Sequence, residues 1–199
     1  MSTSFPAIPR ETTTARCVFI DRDGTLIRHI PYLCDTDGVE LLPTVVAGLS
    51  ALTAARCKLF LHTNQSGIGR GYFSLAQADA CNLRMLQHIG LGADLFEDIR
   101  LCPEAPDQEI AYRKPSSRYA LEVMATYGTD RRSMCYIGDN ITDLLTARNV
   151  GCAGVGVSTG VHDLRQNVLA HCLDYPVFDT FLEAARHVTS YFERGHGTG

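Results

Sequence analysis

Two aspartates that directly follow an apolar run are the residues of this sequence best suited to chemistry. Asp21 and Asp23 come after the segment CVFI at 17–20, and Gly24 comes after them. A carboxylate can attack phosphorus and carry a phosphoryl group as an aspartyl-phosphate. A second carboxylate two residues on can protonate the leaving alkoxide and later deprotonate a water molecule, which requires that the two pKa values differ. The glycine allows the chain to turn sharply after the acids.

A further acid pair occurs late in the chain. Asp139 follows the apolar run SMCYIG, and Asp143 lies four residues beyond it. The carboxylate oxygens of Asp21 and Asp139 suit Mg²⁺, which proteins bind through one or two carboxylates, water and phosphate oxygens. Such a metal would let Asp21 and Asp139 tolerate a phosphate dianion. A helix that begins between Asp139 and Asp143 could turn both toward one end.

Three donor groups complete the set. Thr63 and Asn64 follow the run KLFLH, and Lys114 stands before PSSRYALEVM. Their hydroxyl, amide and ammonium groups could bind the equatorial oxygens of a phosphoryl group, where charge spreads in the transition state. Each acid taken alone is better explained as a turn or helix-cap residue, because aspartate is common at such places. The ordered set of acids, threonine and lysine favours phosphoryl chemistry instead.

Short apolar runs separated by amphipathic segments must position these residues. Strands are predicted at CVFID (17–21), KLFLHT (58–63), SMCYIGD (133–139) and CAGVGVS (152–158), with weaker ones at 95–102 and 173–178. Apolar stripes predict helices at 45–52, 78–89, 141–145 and 181–192, and Ser74 with Gln77 predicts a capping box that opens the second helix. This alternation indicates an α/β layered fold with a mainly parallel sheet. Ligands of such sheets bind beyond the carboxyl ends of the strands, which is where the acids and donors stand.

The composition fits a single domain that makes its contacts through a local site. The chain has 199 residues, 45% of them hydrophobic and 20% charged, with a formal net charge of −4 and a pI near 5.9. This charge gives no general attraction to nucleic acid or to an anionic membrane. We expect no signal peptide or membrane span, and expect a soluble, cytoplasmic monomer. We expect the domain to cover 16–194, with 1–15 disordered and the glycine-rich end at 195–199 frayed.

Several residues with reactive side chains are expected in the core. The eight cysteines are scattered singly and form no C-x-x-C pair, so we expect most of them to be reduced and buried. His62 alternates with Thr63 along the predicted strand and should point to the opposite face. A core or supporting role is therefore expected for His62.

Four segments resemble the motifs of a known superfamily. DRDGT, HTNQSG, RKP and GDNITD, in this order, are similar to the four motifs of the haloacid dehalogenase superfamily of Mg²⁺-dependent phosphohydrolases. The resemblance spans roughly Cys17 to Val157 and implies a Rossmann-like three-layer fold. It implies that Asp21 is the nucleophile and Asp23 the general acid and base, that Thr63 and Lys114 hold phosphate, and that Asp139 binds the metal.

The same resemblance suggests roles for the neighbours of these residues. The backbone carbonyl of Asp23 should also coordinate Mg²⁺, and Asp143 should support the metal shell. Asn64 should contribute to the phosphate site, with Gln65 beside it in a supporting role. Asn140 stands where some relatives carry lysine, which leaves its role open.

The loops indicate which kind of phosphatase the resemblance implies. The segment from Gly24 to Thr63 has room for a small flap and a helix but for no cap domain. TNQSGIGRGYF together with DRDGT is similar to the heptose bisphosphate phosphatases and to the histidinol-phosphate phosphatases, and NQSGIGRG favours the former. A sugar phosphate is thus the expected substrate. The most specific expectation is hydrolysis of the 7-phosphate of D-glycero-D-manno-heptose 1,7-bisphosphate in bacterial nucleotide-heptose synthesis. Arg70 and Arg113 could bind a second phosphate or sugar hydroxyls in a bidentate manner.

One departure from those families concerns a metal. They commonly carry a zinc loop just before RKP, whose four ligands would make a closed structural site. Here Cys102 is present, but Glu104, Ile110 and Tyr112 occupy the other apparent positions. We therefore expect Mg²⁺ and no structural zinc.

Three other functions stay open at this stage. Histidinol phosphate is one alternative substrate. TNQxGIGRG and YRKP also resemble polynucleotide 3′-phosphatases, although the acidic charge and the lack of a basic run argue against a DNA end. A receiver-like signalling module is the non-enzymatic alternative. Its acid pair would precede a separate phosphorylated aspartate, whereas here a late GDNITD follows the lysine.

Overall fold

The computed structural model describes residues 14–195. The predicted disordered segment at 1–15 lies outside the described residues apart from Thr14 and Ala15, and the predicted frayed tail lies outside them apart from Gly195. Within the described part of the chain, no helix is long and apolar enough to cross a bilayer.

Six parallel strands form one sheet with the order β3-β2-β1-β4-β5-β6. The strands are β1 (Cys17–Ile20), β2 (Lys58–Asn64), β3 (Asp98–Cys102), β4 (Met134–Gly138), β5 (Ala153–Val157) and β6 (Val177–Phe178). The helices are α1 (Val45–Ala54), α2 (Ser66–Gly69), α3 (Leu75–Ile89), α4 (Arg118–Tyr127), α5 (Ile141–Val150), α6 (Leu164–Ala170) and α7 (Phe181–Arg194). All six predicted strands are confirmed, with β6 shortened to two residues.

The two faces of the sheet carry separate apolar layers. Alternate residues of β1 point to opposite sides, so that Val18 and Ile20 pack with α1, α3 and α7, while Cys17 and Phe19 pack with α4 and α5. The ring of Phe19 stacks between those of Phe60 on β2 and Tyr136 on β4, with centroid distances of 5.1 and 4.7 Å. Helices on both faces give the predicted three-layer α/β architecture and cover the continuous apolar strands.

Most of the predicted helix faces are buried as expected. The stripes on α3 and α7 are buried, and the capping box of Ser74 and Gln77 opens α3. Val46 is exposed, with 38% of the residue accessible, and Ile141 and Leu145 on α5 are half-buried. The inner face of α1 is formed instead by Val45, Leu49 and Leu52, which follow the helical spacing of four and three residues.

The chain between β1 and α1 forms the predicted small flap. Arg28 N donates to Glu40 O at 2.8 Å, and Ile27 and Leu41 form an isolated antiparallel bridge, so the flap leaves and returns at one place. A single turn of 3-10 helix at Thr36–Gly38 lies within it. This flap is a hairpin-like loop rather than a cap domain.

Candidate active site

The first aspartate of the site continues the central strand. Asp21 N donates to Ile137 O at 3.0 Å, which places its carboxylate at the carboxyl end of β1 beside β4. Gly24 then turns the chain with a φ of +84°, and a Cβ atom at this position would overlap the carboxylate of Asp139. Glycine is therefore required both for the left-handed backbone and for the close approach of the two loops.

Three buried carboxylates meet at this edge of the sheet. Asp21, Asp139 and Asp143 each offer one oxygen, and these atoms lie within 4.8 Å of one another. Lys114 Nζ donates to Asp21 Oδ1 and to Asp143 Oδ1, both at 2.5 Å, and only 3% of Lys114 is exposed. One ammonium and three carboxylates leave a formal charge of −2, which a divalent cation would neutralise.

The pKa values reflect this excess of buried negative charge. Burial raises the pKa of Asp21 to about 7, although Lys114 opposes the rise. Burial also raises the pKa of Asp139 well above its ordinary value, and the neighbouring Asp21 and Asp143 raise it further. Burial lowers the pKa of Lys114, but Asp143 and Asp21 outweigh this and raise it above the usual range. The lysine is thus protonated, and the acids need a proton or a metal for full compensation.

The donor set fits a hard cation such as Mg²⁺. The cluster offers carboxylate oxygens, which Mg²⁺ prefers over nitrogen or sulfur. Asp139 is held in place because Thr25 Oγ1 donates to its Oδ1 at 3.2 Å. A Cβ atom at Gly160 would also overlap this carboxylate, so two glycines wrap closely around Asp139.

The second aspartate has a different set of partners. Asp23 Oδ2 accepts from Gln65 Nε2 at 2.8 Å and from Thr63 Oγ1 at 3.4 Å. Arg22 donates from Nε to Oδ2 at 3.0 Å and from NH2 to Oδ1 at 3.2 Å. Asp23 is therefore held by three side chains and stays outside the cluster of three acids.

Arg22 is a site residue that the sequence analysis missed. Its side chain is fully buried and also donates from NH1 to Asn82 Oδ1 on α3 at 2.8 Å. The position of Arg22 between two aspartates was the only sequence signal for this role. Strand alternation alone would have predicted that its side chain points away from Asp23.

The backbone before α4 is tied to the end of β2. Asn64 Nδ2 donates to Lys114 O at 3.2 Å, and Lys114 N donates to Asn64 Oδ1 at 2.9 Å. His62 is fully buried, as expected, and its Nε2 lies 3.0 Å from Tyr112 O. Asn64 and His62 thus position the segment that delivers Lys114 to Asp21.

Asn140, whose role the sequence left open, forms the N-cap of α5. Its Oδ1 accepts from Thr142 N at 3.1 Å, and its backbone N donates to Asp143 Oδ2 at 3.1 Å. Asp143 accordingly uses one oxygen for this capping box and the other for Lys114. The positive end of the α5 dipole faces the acids and favours bound anions.

A cavity of about 260 Å³ opens over these groups. The lining includes nine residues predicted from the sequence: Asp21, Asp23, Thr63, Asn64, Arg113, Lys114, Asp139, Asn140 and Asp143. It also includes His29 of the flap and His162 after β5, which the sequence analysis did not single out. A second cavity of about 310 Å³ adjoins it between the flap and α2.

Two sets of predicted positions lie elsewhere. Arg70 is exposed after α2 and is not among the lining residues of either cavity, so its position lends no support to a grip on a second phosphate.

Cys102 is buried at the end of β3, and burial raises its pKa to about 12. Ile110 is exposed, while Glu104 bonds to backbone amides nearby. The expectation that no zinc binds here stays a prediction.

Comparison with known proteins places the chain in a family. Residues 111–184 match the family described as HAD-hydrolase-like. The chain is 32% identical over 144 residues to the D-glycero-beta-D-manno-heptose-1,7-bisphosphate 7-phosphatase of Pseudomonas aeruginosa, which covers 72% of this chain and 81% of that protein. It is 31% identical over 144 residues to the histidine biosynthesis bifunctional protein HisB of Blochmanniella floridana, which covers 70% of this chain but 40% of that protein.

The fold has a close counterpart among solved structures. The D,D-heptose 1,7-bisphosphate phosphatase of Bordetella bronchiseptica, solved with magnesium and phosphate, superposes with a TM-score of 0.78 at 27% identity. The match covers 88% of this chain and 98% of that one. The predicted haloacid dehalogenase fold is therefore confirmed. The chain belongs to the haloacid dehalogenase-like phosphatases, and it is a phosphatase enzyme.

Proposed function

We propose that this enzyme hydrolyses the 7-phosphate of D-glycero-D-manno-heptose 1,7-bisphosphate with Mg²⁺ and an aspartyl-phosphate intermediate. The observation that carries the proposal is the buried cluster of Asp21, Asp139 and Asp143 beside Lys114, which suits a metal and a phosphoryl group together. The relatives named as heptose bisphosphate phosphatases support the choice of substrate. The product would be the heptose 1-phosphate used in bacterial nucleotide-heptose synthesis.

In the first step Asp21 acts as the nucleophile. Lys114 binds Oδ1 of Asp21, so we assign the attack to Oδ2. A bond forms between Oδ2 and phosphorus while the bond between phosphorus and the C7 oxygen breaks. Lys114 and Thr63 donate to the equatorial oxygens, and the N-terminus of α5 adds its positive dipole.

Asp23 moves the proton in both steps. It gives a proton to the C7 oxygen as this atom leaves, and it then takes one from the water that attacks the phosphorus of the aspartyl-phosphate. The second step releases inorganic phosphate and regenerates the Asp21 carboxylate. Asp23 lines both adjoining cavities, so it can reach a leaving group that lies between them. Gln65 and Arg22 fix its orientation.

Asp21 and Asp139 would hold the Mg²⁺ ion together with the backbone carbonyl of Asp23. When bound, the ion supplies positive charge that lets acidic side chains accept a phosphate dianion. The buried charge of the three carboxylates, which Lys114 compensates only in part, supports this assignment.

A comparison of substrates tests the proposal. Phosphate release with Mg²⁺ is measured on both anomers of the heptose bisphosphate, on histidinol phosphate and on a 3′-phosphorylated oligonucleotide. We expect one bisphosphate anomer to be preferred at least 100-fold in kcat/KM, which is about 2.7 kcal/mol of transition-state discrimination. A preference for histidinol phosphate or for the oligonucleotide would refute the substrate assignment and leave the chemistry intact.

A substitution tests the mechanism separately from the substrate. Asp21→Asn should abolish turnover, because an amide cannot form the covalent intermediate. Asp79→Asn makes the same chemical change at an exposed position of α3 and should leave turnover unchanged. An Asp21→Asn protein with full Mg²⁺-dependent activity would rule out the proposed nucleophile.

A further inference from the structure

The loop between β3 and α4 carries Arg113 into the cavity wall next to Lys114. Neighbouring residues fix two points of this loop, because Asn64 binds the backbone of Lys114 and His62 lies 3.0 Å from the carbonyl of Tyr112. A third anchor comes from within the loop itself, from Glu104.

Glu104 makes hydrogen bonds to the backbone just before Arg113 and to the Arg113 side chain. Its Oε1 accepts from Tyr112 N at 2.9 Å and from Ala111 N at 3.2 Å. Its own carbonyl oxygen accepts from Arg113 NH1 at 3.2 Å. The Glu104 side chain therefore closes the loop across seven and eight positions and fixes the backbone just before Arg113, while the main chain of Glu104 accepts from the guanidinium.

Burying part of the Glu104 carboxylate has a cost in free energy that closure of the loop alone does not explain. Glu104 Oε2 is buried and has no hydrogen-bond partner among residues 14–195. A buried polar atom without a partner is unfavourable, so the two amide bonds of Oε1 must offset the cost of burying Oε2. Because the Arg113 guanidinium bonds to the main chain of Glu104, the loop conformation that the carboxylate stabilises also sets the position of Arg113.

We infer that Glu104 is a positioning residue that aims Arg113 at the second anionic group of the substrate. The inference rests on the proposed function, since it concerns the end of the bisphosphate that does not react. Arg113 suits this task because its planar fork can bind a phosphate in a bidentate manner, and because Lys114 lies beside Asp21 and serves the reacting phosphoryl group. The class of substrate that follows is a phosphomonoester with a second phosphate.

The test compares the bisphosphate with p-nitrophenyl phosphate, which has no second anionic group. Glu104→Ala should raise KM for the bisphosphate at least 10-fold, with kcat within twofold of wild type. Its kinetics on p-nitrophenyl phosphate should stay within twofold. Glu104→Gln keeps an acceptor oxygen for the two amides and should restore the wild-type KM. Glu109→Ala, which removes an exposed carboxylate from the same loop, is the matched control.

A double variant separates positioning from general damage. In the Arg113→Ala background, Glu104→Ala should change KM for the bisphosphate less than twofold, because the group that it positions is gone. The inference is overturned if the Glu104→Ala effect persists in that background. It is also overturned if Glu104→Ala lowers activity on both substrates alike or leaves KM unchanged.

Failure of the proposed function has a different signature. In that case wild-type protein would not hydrolyse the bisphosphate, or Asp21→Asn would not slow it. The loop is then tested by hydrogen exchange, where Glu104→Ala must speed exchange of the Tyr112 amide and Glu104→Gln must not. Unchanged exchange in Glu104→Ala would overturn the inference whatever the substrate.

Discussion

At the residue scale, Arg22 shows how the site depends on a side chain that the substrate does not reach. Its guanidinium is fully buried and donates to both oxygens of Asp23 and to Asn82. Burial of a guanidinium is tolerated only when its donors are paired. The same bonds that satisfy Arg22 therefore fix the direction of the Asp23 carboxylate.

Arg22→Met should destabilise the protein by on the order of 3 kcal/mol, because it removes two donors to the Asp23 carboxylate and the donor to the buried Asn82 Oδ1. The measurement is the free energy of unfolding in urea. Arg28→Met is the matched control, since Arg28 pairs with Glu40 on the exposed flap at 2.8 Å. The control should lose about 0.5 kcal/mol. Equal losses in the two variants would contradict the role given to Arg22.

His62 should make stability depend on pH. Burial lowers its pKa to about 3, helped by the nearby Lys114 and Arg100. The unfolded chain takes up a proton at about pH 6.5, so between these values it binds more protons than the folded state. Stability is therefore fully present above about pH 6.5 and is lost as the pH falls toward 3.

The measurement that checks this prediction is the free energy of unfolding at pH 7 and pH 5. His62→Gln should lose less stability than wild type over this interval, because glutamine does not titrate. His88→Gln, at an exposed position of α3, should keep the wild-type difference. A wild-type difference that persists in His62→Gln would assign the pH dependence to other groups.

At the element scale, the N-terminus of α5 joins helix capping to the site. Asn140→Ala removes the N-cap and should cost about 1 kcal/mol of stability. It should also lower kcat, because the side-chain cap fixes the first turn of α5, and this turn carries Asp143, which bonds to Lys114. Thr180→Ala breaks a capping box of the same type on α7, away from the site. We expect a similar loss of stability there with unchanged kcat, and equal kinetic effects would contradict the link.

The elements themselves could be predicted because their signals are local. The strands and the inner faces of α3 and α7 follow from apolar periodicity over a few residues, and Val46 failed because two adjacent residues competed for one face. Contacts between distant segments could not be predicted in this way. Arg22 meets Asn82 across 60 positions, and the path of the loop decides that Glu104 meets Tyr112.

The positions of the predicted site residues depended on the same distinction. Residues that end a strand, such as Asp21, Thr63 and Asp139, were placed correctly at the cavity, because parallel strands bring their carboxyl ends to one edge. Arg70 follows the short helix α2, where one turn more or less changes the direction of a side chain. Its position on the surface could not be read from the motif alone.

At the scale of the whole molecule, the sheet order assembles the site from distant parts of the chain. β1 lies between β2 and β4, which brings Asp21 between Thr63 and Asp139. Lys114 then reaches Asp21 across 93 positions. The buried acids meet only in the folded protein. The repulsion between their carboxylates therefore lowers the free energy of unfolding.

This cost predicts opposite effects of one substitution with and without metal. Mg²⁺ at 100 times its Kd should stabilise wild-type protein by about 2.7 kcal/mol, which raises Tm by roughly 5–10 °C for a chain of this size. Asp139→Asn removes a buried carboxylate. Burial raises the pKa of this group well above its ordinary value. Without metal, therefore, Asp139→Asn should have a higher Tm than wild type.

Thermal unfolding in EDTA and in Mg²⁺ measures both effects together. Asp139→Asn should lose most of the Mg²⁺-dependent rise because it loses a ligand, while the exposed control Asp79→Asn should match wild type in both conditions. Suppose instead that Asp139→Asn is less stable than wild type in EDTA. The neighbours of the Asp139 carboxylate would then stabilise its charge, and excess negative charge would not be the reason for metal binding. If it kept the full rise in Mg²⁺, the ion would bind elsewhere. The predicted pattern requires a site that lowers the stability of the metal-free fold in order to hold a cation.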